Sequence, residues 1–279
     1  MKALILFGLA WVAVSSGGAP VKIDPDVVYG HKDGLALTMD VLTPSKSNGA
    51  GVVFIVSGGY GSQWYPPEQA VRHRRPLLDA GYTVFSVRHG SAPKYLVPEI
   101  IEDVRRSIRH IRLHAKRFNI DAEKIGVTSA SSGGHLALML ATTADAGDAK
   151  AKDPVMRSSN RVNAVVAYFA PSDLREWVKP GSFYYQRYPA LRFAPAKAAA
   201  CSPILHVDKN DAPTLLVHGD LDPRVPLKHS KRMFAELRKH GVPSNLAVIK
   251  GAGHSFPGNY GKQASQARVQ WFNKHLLGR

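Results

Sequence analysis

The chain has 279 residues, enough for one large domain with a sizeable core. Apolar residues make up 44% and charged residues 21%, which excludes a disordered or collagen-like chain. The formal net charge of +16 raises nucleic-acid binding, but that class needs a recognised binding fold or aromatics interleaved with the basic stripe. Neither is present, so no nucleic-acid partner is expected.

In chain order, Met1–Lys2 precede an apolar run from Ala3 to Val14, and the small residues Ser15 to Ala19 follow. This pattern predicts a signal peptide over residues 1–19, export, and a folded domain over 20–279. About a dozen apolar residues fall short of the roughly 20 that cross a bilayer, so no stable membrane insertion is expected. Leu35, Leu37, Met39 and Val41 alternate with Ala36, Thr38 and Asp40, which predicts an antiparallel strand in the edge region. The runs 52–56, 83–87, 125–128, 164–169, 214–217 and 245–249 lack that alternation. Helical segments are predicted between them at 67–79, from Pro98, and at 133–144, 227–240 and 262–277. Continuous apolar strands separated by helices indicate an α/β fold with a mostly parallel, doubly wound sheet covered on both faces. In the helix from Pro98, Ile101, Val104, Ile108, Ile111 and Ala115 share a stripe, while Arg105, Arg106, Arg109 and Arg112 are expected on a solvated face. The single cysteine, Cys201, allows no intramolecular disulfide and is expected to be a small packed residue.

Three short stretches carry chemistry. Residues 125–140, IGVTSASSGGHLALML, read as strand, tight small-residue turn and helix. This is the setting of a nucleophile elbow, with Ser131 as nucleophile and Ser129 and Gly133 two residues to either side. A second register would use Ser132. HGDLDPRVP follows the 214–217 strand and supplies Asp222 as the acid; Asp220, nearer the strand end, reads as a turn residue. KGAGHSF follows the 245–249 strand and supplies His254 as the base. A serine hydroxyl is a poor nucleophile until an imidazole takes its proton, and the imidazole needs a carboxylate to fix its tautomer. An oxyanion needs pre-aimed amides. Those of Ser132, Gly59 and Tyr60 are expected, the latter two from the loop Ser57–Gly58–Gly59–Tyr60.

The order Ser131, Asp222, His254 is that of α/β hydrolases. From about Val28 onward the chain resembles their esterase/lipase branch, above all the feruloyl and acetyl xylan esterase-like (BD-FAE-like) group and prolyl oligopeptidase relatives. VVYGHKDGLALTMDVLTP resembles the first strands of that group, and APKYLVPEIIEDVRRSIRHIR its helix before the elbow. Ser57–Gly58–Gly59–Tyr60 takes the place of the HGGG motif, with Ser57 for histidine and Tyr60 for the last glycine. The resemblance implies the α/β-hydrolase fold, an acyl-enzyme mechanism on small-molecule or carbohydrate esters, and no cofactor or metal. Residues 172–210 lie where this fold inserts its cap, so a minimal cap is expected. Trp64, Tyr184 and Tyr185 are expected to bind substrate, with Tyr60 and Phe183 among the aromatics near the site. Two other functions stay open. One is a serine peptidase related to prolyl oligopeptidase, although 279 residues leave no room for the usual β-propeller. The other is a non-catalytic binding protein on a hydrolase scaffold. Composition does not settle the oligomeric state.

Overall fold

The computed structural model describes Trp11–Val12 and residues 18–279. The strands are β1 (Trp11–Val12), β2 (Val21–Lys32), β3 (Leu35–Pro44), β4 (Gly51–Val56), β5 (Thr83–Arg88), β6 (Ile125–Ala130), β7 (Ala164–Tyr168), β8 (Thr214–Gly219) and β9 (Ser244–Ile249). The helices are α1 (Pro67–Asp79), α2 (Val97–Leu113), α3 (Ser132–Thr142), α4 (Phe183–Arg187), α5 (Lys228–Lys239) and α6 (Asn259–Leu277). One sheet runs β1-β2-β3-β5-β4-β6-β7-β8-β9. Pairing is antiparallel from β1 through β3 to β5 and parallel from β5 to β9. Every residue of β5, β7 and β8 is buried, which is why these strands read as unbroken apolar runs. One face of the sheet packs Ile100, Val104 and Ile108 of α2, Leu136 of α3 and Leu237 of α5. The other packs Val71 and Leu77 of α1 and Phe272 and Leu276 of α6.

Of the expected signal peptide, only Trp11–Val12 and residues 18–19 are among the described residues, and Trp11–Val12 pair with Lys22 and Val21 at the sheet edge. β3 lies in the antiparallel edge region, as expected, with the 12-residue β2 outside it. The alternation of β2 is broken by Asp24–Pro25–Asp26 and by register shifts at Asp24/Val27 and Val28/Gly30, so no period of two marks it in sequence. Helix α2 begins one residue before Pro98, where the Glu99 carboxylate accepts the Leu96 amide at 3.0 Å. Its arginines do not form a free solvated face. Arg106 pairs with Asp153, and Arg109 pairs with Asp145 and donates to the Ser158 carbonyl. Arg112 donates to the Ser159 and Arg161 carbonyls. These long side chains pin the 143–161 loop against the helix, so this basic cluster is structural.

Between β7 and β8 the cap consists of α4 and three short 3-10 turns, each opened by a proline: Pro189, Pro195 and Pro203. It is small, as expected. Cys201 is buried beneath it, and burial pushes its thiol up to about 11. A thiol that is neutral and covered is a poor nucleophile. In the native protein at pH 8, Cys201 is therefore expected to resist iodoacetamide for hours and to react fully only in denaturant, as intact-mass spectrometry would show. Rapid native alkylation would contradict this packing.

Candidate active site

Strand β6 ends at Ala130, α3 begins at Ser132, and Ser131 lies at the corner with φ 55° and ψ −123°. A non-glycine residue there carries about 1–3 kcal/mol of backbone strain, tolerated only where its surroundings enforce it. The Ser131 amide donates to the Tyr168 carbonyl at 2.9 Å, and the His135 amide donates to the Ser131 carbonyl at 2.9 Å. The neighbouring positions leave no spare room. The buried Ser129 hydroxyl donates to the Ile55 carbonyl at 2.6 Å, and a Cβ at Gly133 would lie 2.1 Å from that hydroxyl. A Cβ at Gly134 would lie 2.9 Å from the Tyr168 carbonyl oxygen. Serine thus replaces glycine before the nucleophile position by bonding into β4, and glycine is required after it.

His254 Nε2 lies 3.0 Å from Ser131 Oγ, and its Nδ1 lies 2.7 Å from Asp222 Oδ2. A carboxylate only accepts, so Nδ1 carries the proton and Nε2 faces the serine as an acceptor. The other oxygen of Asp222 accepts the Arg224 and Val225 amides at 2.8 and 3.0 Å. The carboxylate is fully covered. Burial alone raises a carboxyl's pKa, but hydrogen bonds from His218, His254 and the two amides outweigh it and hold Asp222 well below the usual carboxylate range. His218, also fully buried, donates through Nε2 to the Val225 carbonyl at 2.9 Å and so shapes the acid loop. Asp220 does not bond its own turn. It accepts the Gly251 amide at 2.6 Å, tying the acid loop to the loop that carries His254. Phe169, at φ 35°, sets its ring 4.5 Å from the imidazole.

The Ser132 hydroxyl is not the one bonded to His254. It accepts the Tyr60 amide at 3.1 Å and bonds the Ser57 hydroxyl at 3.0 Å. The Tyr60 amide, expected to be free for an oxyanion, is therefore engaged. The amides of Gly59 and Ser132 have no acceptor among the described residues.

The narrow cleft beside Ser131, about 310 Å³ of empty space partly open to solvent, is walled by Pro171, Trp177, Tyr184, Tyr188 and Val225. Trp177 and Tyr184 stack at 3.8 Å with a 3° interplanar angle, and the Tyr184 hydroxyl donates to the Arg224 carbonyl. Of the three expected substrate-binding aromatics, only Tyr184 reaches this cleft. Trp64 is 60% exposed and lines a separate cavity with His89 and Tyr95. Tyr185 lines neither cavity at Ser131, whereas Tyr184 on α4 and Tyr188, the extended residue that ends it four positions later, both face the cleft. That spacing was the available signal for Tyr188. Trp177 and Arg187 had none, since cap packing brings them in, whereas Arg224 enters with the acid loop two residues after Asp222. Among the described residues no group of three or more His, Cys, Asp or Glu side chains gathers as a metal site would.

A parallel sheet preceded by antiparallel strands, with helices on both faces and a sharp corner at Ser131, defines the α/β-hydrolase fold. The model of the BD-FAE family matches residues 39–237, and the chain belongs to that family. Esterase LipQ of Mycobacterium tuberculosis is 27% identical over 64% of this chain and 44% of its own length. The ethyl acetate hydrolase of Pseudomonas putida is 29% identical over 83% and 74%. The chain spans about half the length of the mycobacterial relatives it matches. Among solved structures, the acetyl ester-xyloside bifunctional hydrolase of Caldicellulosiruptor lactoaceticus superposes with a TM-score of 0.75 at 25% identity, covering 89% of this chain and 95% of that one.

Proposed function

We propose that this chain is a carboxylic-ester hydrolase working through an acyl-enzyme on Ser131. The observation that carries this reading is the line Asp222–His254–Ser131, with 2.7 and 3.0 Å contacts and the imidazole tautomer fixed by the carboxylate. In this mechanism Ser131 Oγ attacks the ester carbonyl as its proton passes to His254 Nε2, and Asp222 stabilises the imidazolium. The amides of Ser132 and Gly59 hold the oxyanion, and the Tyr60 amide joins them once the Ser132 hydroxyl turns away. His254 then protonates the departing alcohol, and water, deprotonated by the same imidazole, releases the acid.

The narrow aromatic cleft favours a short acyl group over a bulky one. Acetyl esters of carbohydrates therefore fit better than feruloyl esters, in keeping with the names of the Pseudomonas and Caldicellulosiruptor proteins. Export through residues 1–19 remains part of the proposal and rests on the sequence pattern; N-terminal sequencing of secreted material tests it. The test of the chemistry is hydrolysis of 4-nitrophenyl acetate by the wild type and by Ser131→Ala. Turnover abolished in the variant supports the acyl-enzyme. Equal rates above background would remove Ser131 as nucleophile, and wild-type rates no faster than uncatalysed hydrolysis would return the chain to the non-catalytic reading.

A further inference from the structure

A wider groove, about 1090 Å³ of empty space open to solvent, continues from the narrow cleft over Ser57, Gly58, Gly61 and Ala92. Ser131 and His254 line both spaces. Two arginines stand in this groove: Arg187 from the last turn of α4 and Arg224 from the acid loop. Both are exposed, and among the described residues neither guanidinium enters an ion pair or a hydrogen bond; Arg187 lies 5.6 Å from the Tyr188 ring. No Asp or Glu lines either the groove or the cleft. The one carboxylate touching His254, that of Asp222, is fully covered and committed to His254, His218 and two amides. This contrasts with α2, where Arg106 and Arg109 have carboxylate partners. The two groove arginines therefore present uncompensated positive charge at the mouth of the site, which draws and orients an anion.

The cleft and the groove differ in what they accept. The cleft is small and walled by aromatic and aliphatic groups, which suits a short neutral acyl chain. Arg187 lines only the groove, while Arg224 borders both; with the acyl chain in the cleft, the groove is the space left for the alcohol portion. Building on the proposed esterase reading, we infer that Arg187 and Arg224 select esters whose alcohol portion carries a carboxylate, such as an acylated saccharide bearing a uronate unit. No change in the chemistry at the carbonyl is needed. The carboxylate binds across the two guanidiniums and places the ester oxygen beside His254.

The test compares 4-acetoxybenzoate with 4-acetoxybenzamide, each rate divided by that of uncatalysed alkaline hydrolysis to remove the leaving-group difference. The wild type is expected to favour the carboxylate by roughly tenfold in kcat/KM, carried mainly by KM, the size expected for two partly exposed ion pairs. That preference should shrink as salt rises from about 0.01 M to about 1 M, where the screening length contracts from roughly 30 Å to 3 Å. In the Arg187→Gln/Arg224→Gln double variant the ratio should fall to about one. A wild-type ratio near one, or a ratio unchanged in the double variant, would overturn the assignment. A preference shown only by 4-nitrophenyl hemisuccinate over 4-nitrophenyl butyrate would overturn it too, because it places the anion on the acyl side. Binding of 4-acetoxybenzoate to Ser131→Ala, with and without the arginine changes, is read by calorimetry. This arm reads the anion site without turnover, so a failure of ester hydrolysis is distinguishable from a failure of the arginine assignment.

Discussion

Ser131→Ala is expected to lower kcat for 4-nitrophenyl acetate by about 10⁴-fold or more, the scale of losses when a triad nucleophile is removed. Ser132→Ala should retain far more activity, since its hydroxyl faces Tyr60 and Ser57 and is not the one bonded to His254. The elbow adds a stability signature that a non-catalytic serine turn would not share. Ser131 holds φ 55° and ψ −123°, a conformation that alanine finds as costly as serine and that glycine adopts freely. Ser131→Gly should therefore be inactive yet about 1 kcal/mol more stable than Ser131→Ala, after allowing for the greater unfolded-state entropy of glycine. Urea unfolding of both variants measures the difference. Equal stabilities would mean that the corner is not strained, and a fully active Ser131→Ala would remove the nucleophile assignment.

The parts legible in the sequence are those set by local order along the chain. Strands β4 to β8 are buried on both faces and read as continuous apolar runs, and each triad residue follows a strand end within a few positions. Strand β2 escaped because Asp24, Pro25 and Asp26 interrupt it. Asp26 there turns through a positive φ, and its carboxylate and that of Asp40 bind Arg88, a contact made across the sheet. The arginines of α2 looked like a solvent face because their partners, Asp145 and Asp153, lie more than 30 residues away. The same limit applies at the site. Trp177 and Tyr188 reach the cleft through cap packing, whereas Trp64, placed beside the oxyanion loop in sequence, is carried to another cavity. The Tyr60 amide belongs to that loop, but its capture by the Ser132 hydroxyl depends on a contact between residues 72 apart.

Asp222→Asn is expected to cost about 10⁴-fold in kcat, for a reason that the surrounding hydrogen bonds make specific. One oxygen of residue 222 accepts the Arg224 and Val225 amides, so an asparagine there must keep its carbonyl toward them. Its NH₂ group then faces His254 Nδ1, which has to accept instead of donate. The imidazole proton moves to Nε2, and the atom opposite Ser131 can no longer take a proton. Asp220→Asn behaves differently, because the amide oxygen still accepts the Gly251 N–H; activity should stay within about tenfold of wild type. Asp220→Ala removes that tie and should lower stability by about 1 kcal/mol, the usual worth of one hydrogen bond. The pH dependence of stability checks the charge on Asp222 separately. Its folded pKa is depressed, so its stabilisation is complete above the unfolded carboxyl value of about 3.9 and is lost as pH falls toward the lower folded value. Between pH 5 and pH 2, both approximate limits, the wild type should therefore lose stability more steeply than Asp222→Asn. Parallel melting curves across that range, or equal kinetic losses in Asp220→Asn and Asp222→Asn, would remove Asp222 from the role of acid.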